Sequence, residues 1–455
     1  MKKNLIYIFA DQWRYHAMGC TGEDSVATPN MDEFASDSIF CTSAVSTYPL
    51  CSPHRASLLT GKHPLNVGFY TNCKIGIRDK ITLSPQEKLI SDVLHDEGYY
   101  NGYIGKWHLD ASEMNYRKEP TSGARYWDAF TPKGERRHHF DYWYSYGAYD
   151  QHLAPHYWQN DEKMINIESW SPEHETDKAI EFMEENKDKP FSLFISWNPP
   201  HPPYDKVPQK YLDMYEEKGD FRDNVPAEWR EDPEYLKKRK EYFAAVMGLD
   251  YEFGRFIDYL KKSGLYDNSV IVLSADHGDM MGSHGLYGKN IWYEESLRIP
   301  LIIHDSSIKP SKYEGVVKSE DQMPTLLEML DIDIPDTVEG ISHLNAINNG
   351  TEARNYSVHN MIPGMPELVA PYSSRGLDYR AFGWRCLRDK RYTYVVDNGT
   401  NPDYEQKRII YDRETDPFQM KGIEIDRNDE RAKRYDAILK EEFSLCDDNF
   451  ILEKV

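Results

Sequence analysis

The fold is decided by an apolar run near the start of the chain, Leu5-Ile6-Tyr7-Ile8-Phe9-Ala10, which passes directly into Asp11 and Gln12. A continuous apolar run of this length, ended by polar residues, is typical of a β-strand covered on both faces. Further short runs of the same character lie at residues 99–104, 190–196, 269–274 and 300–304. The sequence therefore predicts a sheet whose strands lie inside the protein.

Helical stretches alternate with these runs. They cover residues 30–37, 84–97, 175–185 and 234–263. Gly98 and Gly264 follow two of these stretches, and glycine is common just after the end of a helix. Because strands and helices alternate, we expect an α/β fold in which a large, mostly parallel sheet is sandwiched by helices.

The pattern changes after about residue 350. Short alternating runs at residues 380–386, 391–396 and 407–411 are separated by turn residues, and a charged helical stretch covers residues 430–443. This pattern predicts a small antiparallel sheet with a terminal helix. We therefore expect a large α/β domain carrying the site over residues 1–350 and a C-terminal α+β subdomain over residues 351–455. Residues 110–175 look irregular and are rich in aromatic side chains.

The composition excludes several classes of protein. The chain has 455 residues and a net charge of −22, so it lacks the basic excess that nucleic-acid binding uses. No run approaches the roughly 18 apolar residues of a membrane span, and six cysteines are too few for a disulfide scaffold. We expect neither nucleic acid nor a membrane as a partner. We also expect a cytoplasmic location, because the first apolar run is too short for a signal peptide.

Ionisable and amide side chains follow four of the predicted strands. They are Asp11, Gln12, Lys106, His108, His201, Asp276 and His277. Each alone has an ordinary structural explanation, such as a helix cap. In an open parallel sheet, however, binding sites form at the carboxyl ends of the strands. Four strand ends with such residues together predict one functional edge.

Part of this set has the chemistry of a divalent-cation site. Asp11, Gln12 and Asp276 offer the oxygen atoms that hard cations prefer, and His277 can add a nitrogen. Two carboxylates would balance the charge of a divalent ion. A hydrogen-bonded cluster without a metal is the alternative.

A second motif is the run Cys51-Ser-Pro-His-Arg55, which enters the apolar stretch Ala-Ser-Leu-Leu-Thr-Gly61. A cysteine four residues before an arginine, at the start of a helix, is typical of an anion site with an activated thiol. From the residues alone, Cys51 is either a nucleophilic thiolate beside Arg55 or a buried, inert cysteine.

The run from Cys51 to Gly61 resembles the signature of the type I, formylglycine-dependent sulfatases, which belong to the alkaline-phosphatase-like superfamily. Further segments agree with that family in order along almost the whole chain. They are Ala10-Asp11-Gln12, Gly105-Lys106-Trp107-His108, Pro200-His201-Pro202, Ser274-Ala275-Asp276-His277-Gly278, Gly288-Lys289 and residues 410–418. The eleven-residue signature is specific, whereas the other segments are informative mainly together.

The resemblance implies that a formylglycine-generating maturation enzyme oxidises Cys51 to Cα-formylglycine, which hydrates to a gem-diol. One diol oxygen attacks sulfur and the alcohol leaves; loss of a proton from the second hydroxyl then expels sulfate. The implied cation is Ca²⁺, with Mg²⁺ or Mn²⁺ as alternatives, and its implied ligands are Asp11, Gln12, Cys51, Asp276 and His277. Many relatives carry Asp in place of Gln12 and Asn in place of His277, but both positions keep donor atoms here.

The resemblance also implies catalytic roles for the remaining motif residues. Arg55 would fix the diol, and Lys106 and Lys289 would neutralise the sulfate oxygens. His201 would protonate the leaving alkoxide, and His108 would assist breakdown of the hemiacetal.

The expected reaction is hydrolysis of sulfate monoesters. Small sulfated sugars are the first expectation for the substrate and aryl sulfates the second. The acidic surface disfavours long polyanions, and the aromatic residues between 126 and 158 suit a sugar or aryl ring. His284, Arg136 and Arg137 are candidate substrate contacts.

Three alternatives remain. Phosphonate monoester and phosphodiester hydrolases share the scaffold and the formylglycine, and they resemble this chain around residues 11–14. A relative of the phosphatases or phosphoglycerate mutases would need Ser or Thr as nucleophile, where this chain has Cys51. A binding protein without activity would have no need of every polar position in the motifs.

Overall fold

The structure is a computed structural model that describes residues 2–76 and 81–453. In these ranges, the strands before residue 350 are β1 (Asn4–Asp11), β2 (Ile39–Cys41), β3 (Tyr100–Lys106), β4 (Tyr142–Tyr146), β5 (His156–Tyr157), β6 (Ile165–Asn166), β7 (Phe191–Pro200), β8 (Ser269–Ala275), β9 (Leu301–His304) and β10 (Ser311–Tyr313). β5 and β6 form a separate two-stranded ribbon, and the other eight strands form one sheet.

The large sheet has the strand order β10-β2-β9-β8-β1-β7-β3-β4. β1 pairs in parallel with both neighbours, so that Leu5 lies opposite Ser192 of β7 and Val270 of β8. β9 runs antiparallel to β2 and β8. All eight residues of β1 are buried, which explains its uninterrupted apolar sequence. The predicted α/β fold with a mostly parallel sheet is confirmed.

Helices flank this sheet and extend into the C-terminal part. They are α1 (Pro29–Ser36), α2 (Cys51–Thr60), α3 (Ile90–Asp96), α4 (Ser171–Asn186), α5 (Gln209–Met214), α6 (Pro233–Ser263), α7 (Glu294–Leu297), α8 (Gln322–Met329), α9 (Leu344–Asn349), α10 (Pro366–Ser373) and α11 (Glu430–Leu445). α6 begins where the Asp232 carboxylate accepts a hydrogen bond from the Tyr235 backbone N–H, and it ends at Gly264. Within the described ranges, none of the helices combines the length and apolar character that a membrane crossing requires.

The C-terminal part is a second, antiparallel sheet. Its strands, paired in chain order, are β11 (Tyr356–Met361), β12 (Trp384–Asp389), β13 (Tyr392–Asp397), β14 (Lys407–Asp412) and β15 (Ile423–Glu424). Tyr435 and Leu439 of α11 are buried in one cluster with Tyr394 and Val396 of β13. The predicted small antiparallel sheet with a terminal helix is therefore confirmed, while the domain boundary at residue 350 stays a prediction.

Two elements differ from the expectation. The helix predicted over residues 84–97 begins only at Ile90. Residues 84–87 form a turn, and the Asp92 carboxylate accepts a hydrogen bond from the N–H of the N-cap residue Leu89 at 2.8 Å. The segment 110–175, expected to be irregular, contributes β4, which pairs in parallel with β3 at the edge of the large sheet. Trp143 and Tyr144 of β4 are buried, so part of the aromatic surplus is core material.

Candidate active site

The site lies at the carboxyl ends of four neighbouring strands, β8, β1, β7 and β3. Asp11 ends β1 and Lys106 ends β3, whereas Asp276 follows β8 and His201 follows β7. Because these four strands are parallel neighbours, their carboxyl ends meet at one edge of the sheet. The structure thus brings together residues that lie far apart in the sequence.

Two backbone features position the side chains at this edge. Gln12 follows β1 with a φ of 63°, in the left-handed region, and its N–H donates to Oδ1 of Asp276 at 3.0 Å. Gly105 precedes Lys106 with a φ of 94°, and a Cβ at this position would lie 2.2 Å from the carbonyl oxygen of Ser196. Glycine is therefore required for β3 to approach β7 so closely.

Helix α2 carries the cysteine motif. Cys51 is its first residue, where the helix dipole places partial positive charge. Arg55 lies four residues further on and so shares the same face of the helix. The helix ends at Gly61, which has a φ of 66° and whose Cβ, if present, would lie 2.9 Å from Cγ1 of Val338.

Cys51 is buried among charged groups. Its Sγ lies 3.2 Å from Nζ of Lys289 and 3.3 Å from Nε2 of His277. Oδ1 of Asp11 is 3.6 Å away. Burial and the charge of Asp11 raise the pKa of the thiol, but Lys289, Lys106 and His277 together outweigh them and hold that pKa well below its ordinary value. This is the environment of a reactive cysteine rather than an inert one.

The guanidinium of Arg55 joins the two carboxylates of the site. Its Nη2 donates to Oδ2 of Asp11 at 3.0 Å and to Oδ2 of Asp276 at 3.2 Å. Its Nη1 donates to the carbonyl oxygen of Lys106 at 2.7 Å and to Oγ of Ser196 at 2.6 Å. Arg55 is buried, so it acts as a fixed charge that ties the ends of β1, β3, β7 and β8 together.

Two ammonium groups complete the positive side of the site. Nζ of Lys106 lies 2.8 Å from Oδ2 of Asp11 and donates to Oδ1 of Asn198 at 3.0 Å. Nζ of Lys289 donates to Oε1 of Gln12 at 2.7 Å. Burial alone would raise the pKa of Asp11, but Lys106 and the other surrounding cations hold that pKa well below its ordinary value. Asp11 is therefore an ionised carboxylate at neutral pH.

Four buried side chains form a cluster that could hold a metal ion. They are Asp11, Cys51, Asp276 and His277, whose donor atoms lie within 4.8 Å of one another. Burial and the charge of Asp11 raise the pKa of Asp276, as expected where two carboxylates share a site. Gln12, the fifth predicted ligand, lies beside the cluster. Its Oε1 accepts from Lys289 and its Nε2 donates to Oδ2 of Asp279.

His108 and His201 line the cleft above this cluster. His108 is buried with a φ of 53°, and its ring nitrogens have no hydrogen-bond partner among the described residues. Burial lowers the pKa of His108. Nδ1 of His201 lies 2.7 Å from the carbonyl oxygen of Pro202 and 3.4 Å from Oδ1 of Asp150. Two imidazoles are thus available to a ligand in the cleft.

The cleft has a volume of about 970 Å³. Its described lining includes the predicted residues Gln12, Cys51, Lys106, His108, His201 and Lys289. Tyr126, Trp127 and Tyr149 form an aromatic part of the wall. The charged cluster of Asp11, Arg55, Asp276 and His277 lies buried around Cys51.

Three predicted substrate contacts have other partners in the structure. Arg136 donates to the carboxylate of Asp110, and Arg137 is buried and donates to two backbone carbonyl groups. His284 stacks on Tyr293 with ring centroids 3.8 Å apart. These three side chains are not among the described residues that line the cleft. Their contact with substrate stays a prediction.

Sequence reasoning missed several residues that line the cleft or hold its side chains in place, namely Lys74, Arg125, Asp150 and Asp279. The first three line the cleft from loops, where no strand end marks them. Oδ2 of Asp279 accepts hydrogen bonds from the Gln12 side chain and from the Tyr204 hydroxyl, so it fixes the amide of Gln12. Its position three residues after Asp276 is a signal that could have identified it.

Two family models match the chain. Residues 3–332 match the family described as Sulfatase, and residues 282–444 match the one described as N-sulphoglucosamine sulphohydrolase, C-terminal. The first match contains every residue of the cluster and the cleft described above.

Known proteins and solved structures agree with this match. The chain is 31% identical to an endo-4-O-sulfatase of Bacteroides thetaiotaomicron over 99% of this chain and 94% of that protein. It is 32% identical to an ulvan-active sulfatase of Formosa agariphila, with coverage of 93% and 77%. A solved structure of a putative sulfatase from Bacteroides fragilis superposes with a TM-score of 0.87 at 35% identity, covering 98% and 96% of the two chains.

Phosphonate hydrolases are more distant. The phosphonate monoester hydrolase of Agrobacterium radiobacter has a TM-score of 0.72 at 21% identity, with coverage of 98% and 95%, a likeness of fold alone. Since the Sulfatase match covers most of the chain and the relatives above 30% identity span nearly all of it, this chain belongs to the sulfatase family and is an enzyme that hydrolyses sulfate monoesters.

Proposed function

We propose that this sulfatase removes sulfate from small sulfated sugars and that its nucleophile is a formylglycine made from Cys51. The observation that carries the proposal is the position of Cys51. It is the first residue of α2 and lies in the cleft, with the ammonium of Lys289 3.2 Å from its Sγ. A nucleophile at this position would lie in the wall of the cleft beside a cation that can neutralise a sulfate group.

The shape of the cleft supports a sugar substrate. Its volume, about 970 Å³, lies within the range of sites for small molecules, and Tyr126 and Trp127 offer apolar ring faces to a sugar. One relative carries a name that points the same way, an N-acetylglucosamine-6-O-sulfatase of Bacteroides thetaiotaomicron, at 25% identity over 76% of this chain and 71% of that protein.

The surroundings of Cys51 support its role as the site of the nucleophile. Formylglycine at this position would supply, as its hydrate, a hydroxyl group for attack on sulfur. The N-terminus of α2 and the ammonium of Lys289 both favour negative charge on that group. Arg55 holds the first turn of α2 against the ends of β1 and β8 through the two carboxylates. The partner that the proposal requires is a maturation enzyme that oxidises Cys51 with loss of the thiol sulfur.

The residues around position 51 fit a divalent cation. Asp11 and Asp276 are buried carboxylates, His277 offers a nitrogen and Gln12 an amide oxygen. With a thiol at position 51 the donor set mixes oxygen, nitrogen and sulfur. With an oxygen there, the set becomes rich in oxygen, which is what Ca²⁺ prefers. When bound, such an ion would lower the pKa of a hydroxyl group at position 51 and stabilise its oxyanion.

The remaining residues act on the transferred group and on protons. Lys106 and Lys289 neutralise the sulfate oxygens as negative charge builds on them. His201, with Nδ1 held by a carbonyl oxygen, donates a proton from Nε2 to the leaving oxygen. Because burial lowers the pKa of His108, its imidazole is neutral and can accept a proton when sulfate is released. The net reaction converts R–O–SO₃⁻ and water into R–OH and HSO₄⁻.

A substrate panel tests the proposal. The full chain, produced together with a maturation enzyme, is assayed on sulfated monosaccharides, nitrophenyl sulfate, bis-nitrophenyl phosphate and a phosphonate monoester. We expect kcat/KM to be highest for a sulfated sugar and to exceed that for the diester by about a hundredfold or more. A preference for the diester or the phosphonate would replace the proposal with the phosphonate monoester or phosphodiester hydrolase alternative.

A further inference from the structure

The cleft carries more positive charge than one sulfate group requires. In a protein of net charge −22, the described cleft lining contains four Lys and Arg side chains, Lys74, Lys106, Arg125 and Lys289, but only one carboxylate, Asp150. Lys289 lies beside Cys51 and Lys106 lies beside Asp11, and both are assigned above to the transferred sulfate. Lys74 and Arg125 therefore have no role in the reaction described so far.

Lys74 is a half-buried cation that forms no salt bridge in the described part of the chain. Its Nζ lies 3.0 Å from Sδ of Met365 and 5.6 Å from the centre of the Trp127 ring. No carboxylate of the described residues lies within 4.0 Å of it. Burial lowers the pKa of Lys74 to about 8, and its charge interacts with Cys51, Lys289 and, beyond salt-bridge distance, Glu367. A desolvated ammonium in this position gains free energy when an anion binds beside it.

Arg125 is an exposed cation on the same cleft wall. Its guanidinium lies 5.0 Å from the centre of the Tyr149 ring and donates to the Tyr149 hydroxyl. Among the described residues, no carboxylate pairs with it either. The contact with Tyr149 uses one N–H group of the guanidinium, and the remaining N–H groups suit a planar or tetrahedral oxyanion. Tyr126 and Trp127 follow it directly and supply the aromatic wall.

We propose that Lys74 and Arg125 form a second anion subsite, so that the preferred substrate carries a further oxyanion besides the sulfate that is removed. This inference rests on the proposed function, because it concerns the same cleft and a sugar substrate. The oxyanion is a carboxylate or a second sulfate on the same or the neighbouring sugar. Position 51 and the subsite then bind two anionic groups of one small molecule.

Binding of three matched ligands tests the subsite without requiring turnover. The ligands are disaccharides with the same sulfate ester, in which the second sugar is a neutral hexose, a uronate or a sulfated hexose. Calorimetry on the full-length Cys51→Ser protein gives a dissociation constant for each. The protein variants are Lys74→Met and Arg125→Gln, with Lys312→Met, an exposed lysine on β10 at the far edge of the sheet, as the matched control.

We expect at least one dianionic ligand to bind about tenfold or more tightly than the neutral one. Lys74→Met and Arg125→Gln should each remove most of this preference and leave binding of the neutral ligand unchanged, whereas Lys312→Met keeps the preference. The ligand that shows the preference identifies the oxyanion. Raising the ionic strength should reduce the preference, because part of it is screened.

Equal affinity for all three ligands would overturn the subsite, as would an equal loss of affinity for all three in both variants. The experiments can contradict the anion subsite and the proposed function independently of each other. If the matured enzyme hydrolyses sulfated sugars but shows no preference in binding, the subsite is wrong and the proposed function stands. If the preference is present but no sulfated sugar is hydrolysed, the subsite stands and the proposed function is wrong.

Discussion

The ammonium of Lys289 lies 3.2 Å from the thiol of Cys51, although 238 residues separate them in the chain. The same ammonium donates to Oε1 of Gln12 at 2.7 Å. Lys289 comes from the loop after β8, and Asp279 anchors that loop because its Oδ1 accepts the N–H groups of Met281 and Gly288. A positive charge is thus held directly beside the reacting position while its side chain, 15% exposed, still reaches the cleft.

Replacing Lys289 tests this contact. In Lys289→Met, we expect kcat on nitrophenyl sulfate to fall by about a hundred- to a thousandfold, the usual cost of losing one donor to an oxyanion. The thermal midpoint should change little, because the side chain is not fully buried. Steady-state kinetics and calorimetry measure both. The Lys312→Met control should keep the full rate, and a Lys289→Met protein with the same rate would exclude a role in sulfate transfer.

The residue that donates the proton can be identified from how the rate of hydrolysis depends on the pKa of the leaving group. In His201→Asn, hydrolysis of an alkyl or sugar sulfate should fall by about a hundred- to ten-thousandfold, because a poor leaving group needs protonation. Nitrophenyl sulfate, whose phenolate leaves without a proton, should lose far less. The rates are compared over a series of sulfates with increasing leaving-group pKa. A loss that is the same for all leaving groups would assign the proton to another residue.

Removing the guanidinium of Arg55 should destabilise the protein as well as inactivate it. Arg55→Met leaves two buried carboxylates without their shared partner, at a cost of about 3–5 kcal/mol in the free energy of unfolding. The exposed Arg427→Met is the matched control. Denaturant unfolding gives the difference, and an Arg55→Met protein as stable as the control would contradict the account of this cluster.

The same variant has a defined pH dependence. The cations hold the pKa of Asp11 below its ordinary value of about 3.9, so the ionised carboxylate stabilises the fold above that pH and the stabilisation is lost as the pH falls. That loss begins only below about pH 4, so the deficit of Arg55→Met should shrink as the pH is lowered beyond this point. Denaturant unfolding measured at a series of pH values would contradict this if the deficit grew on acidification.

The cation site predicts stabilisation by ligand binding. After treatment with a chelator, added Ca²⁺ should raise the thermal midpoint of the matured protein, with about 2.7 kcal/mol of stabilisation at a hundredfold excess over the dissociation constant. Parallel titrations with Mg²⁺ and Mn²⁺ rank the three ions. Asp276→Asn should lose the effect, whereas Asp267→Asn, an exposed carboxylate at the other end of β8, should retain it. A thermal midpoint that changes with none of the three ions would contradict the proposed cation site.

Much of the fold could be predicted because buried parallel strands have a distinctive sequence. β1, β7 and β8 are continuous apolar runs, since both of their faces are covered. β4 was missed because its run Tyr142–Tyr146 lies in a segment where aromatic residues, Gly and His mask the strand pattern. The start of α3 differs from the prediction because residues 84–87 have helical spacing but form a turn, and the helix has Leu89 as its N-cap.

The core of the site could be predicted because parallel strands bring their carboxyl ends to one edge. That rule predicts that Asp11, Lys106, His201 and Asp276 lie together. The same rule does not predict Lys74 or Arg125. Both reach the cleft from loops, and the paths of these loops depend on tertiary packing.

The central claim is that the nucleophile derives from Cys51, and mass spectrometry of the active protein tests it most directly. The peptide that contains position 51 is analysed from enzyme of measured specific activity, beside inactive protein made without a maturation enzyme. We expect the specific activity to increase in proportion to the fraction of the peptide that has lost the thiol sulfur and gained an aldehyde or its hydrate. Full activity in protein whose Cys51 thiol is intact would contradict it.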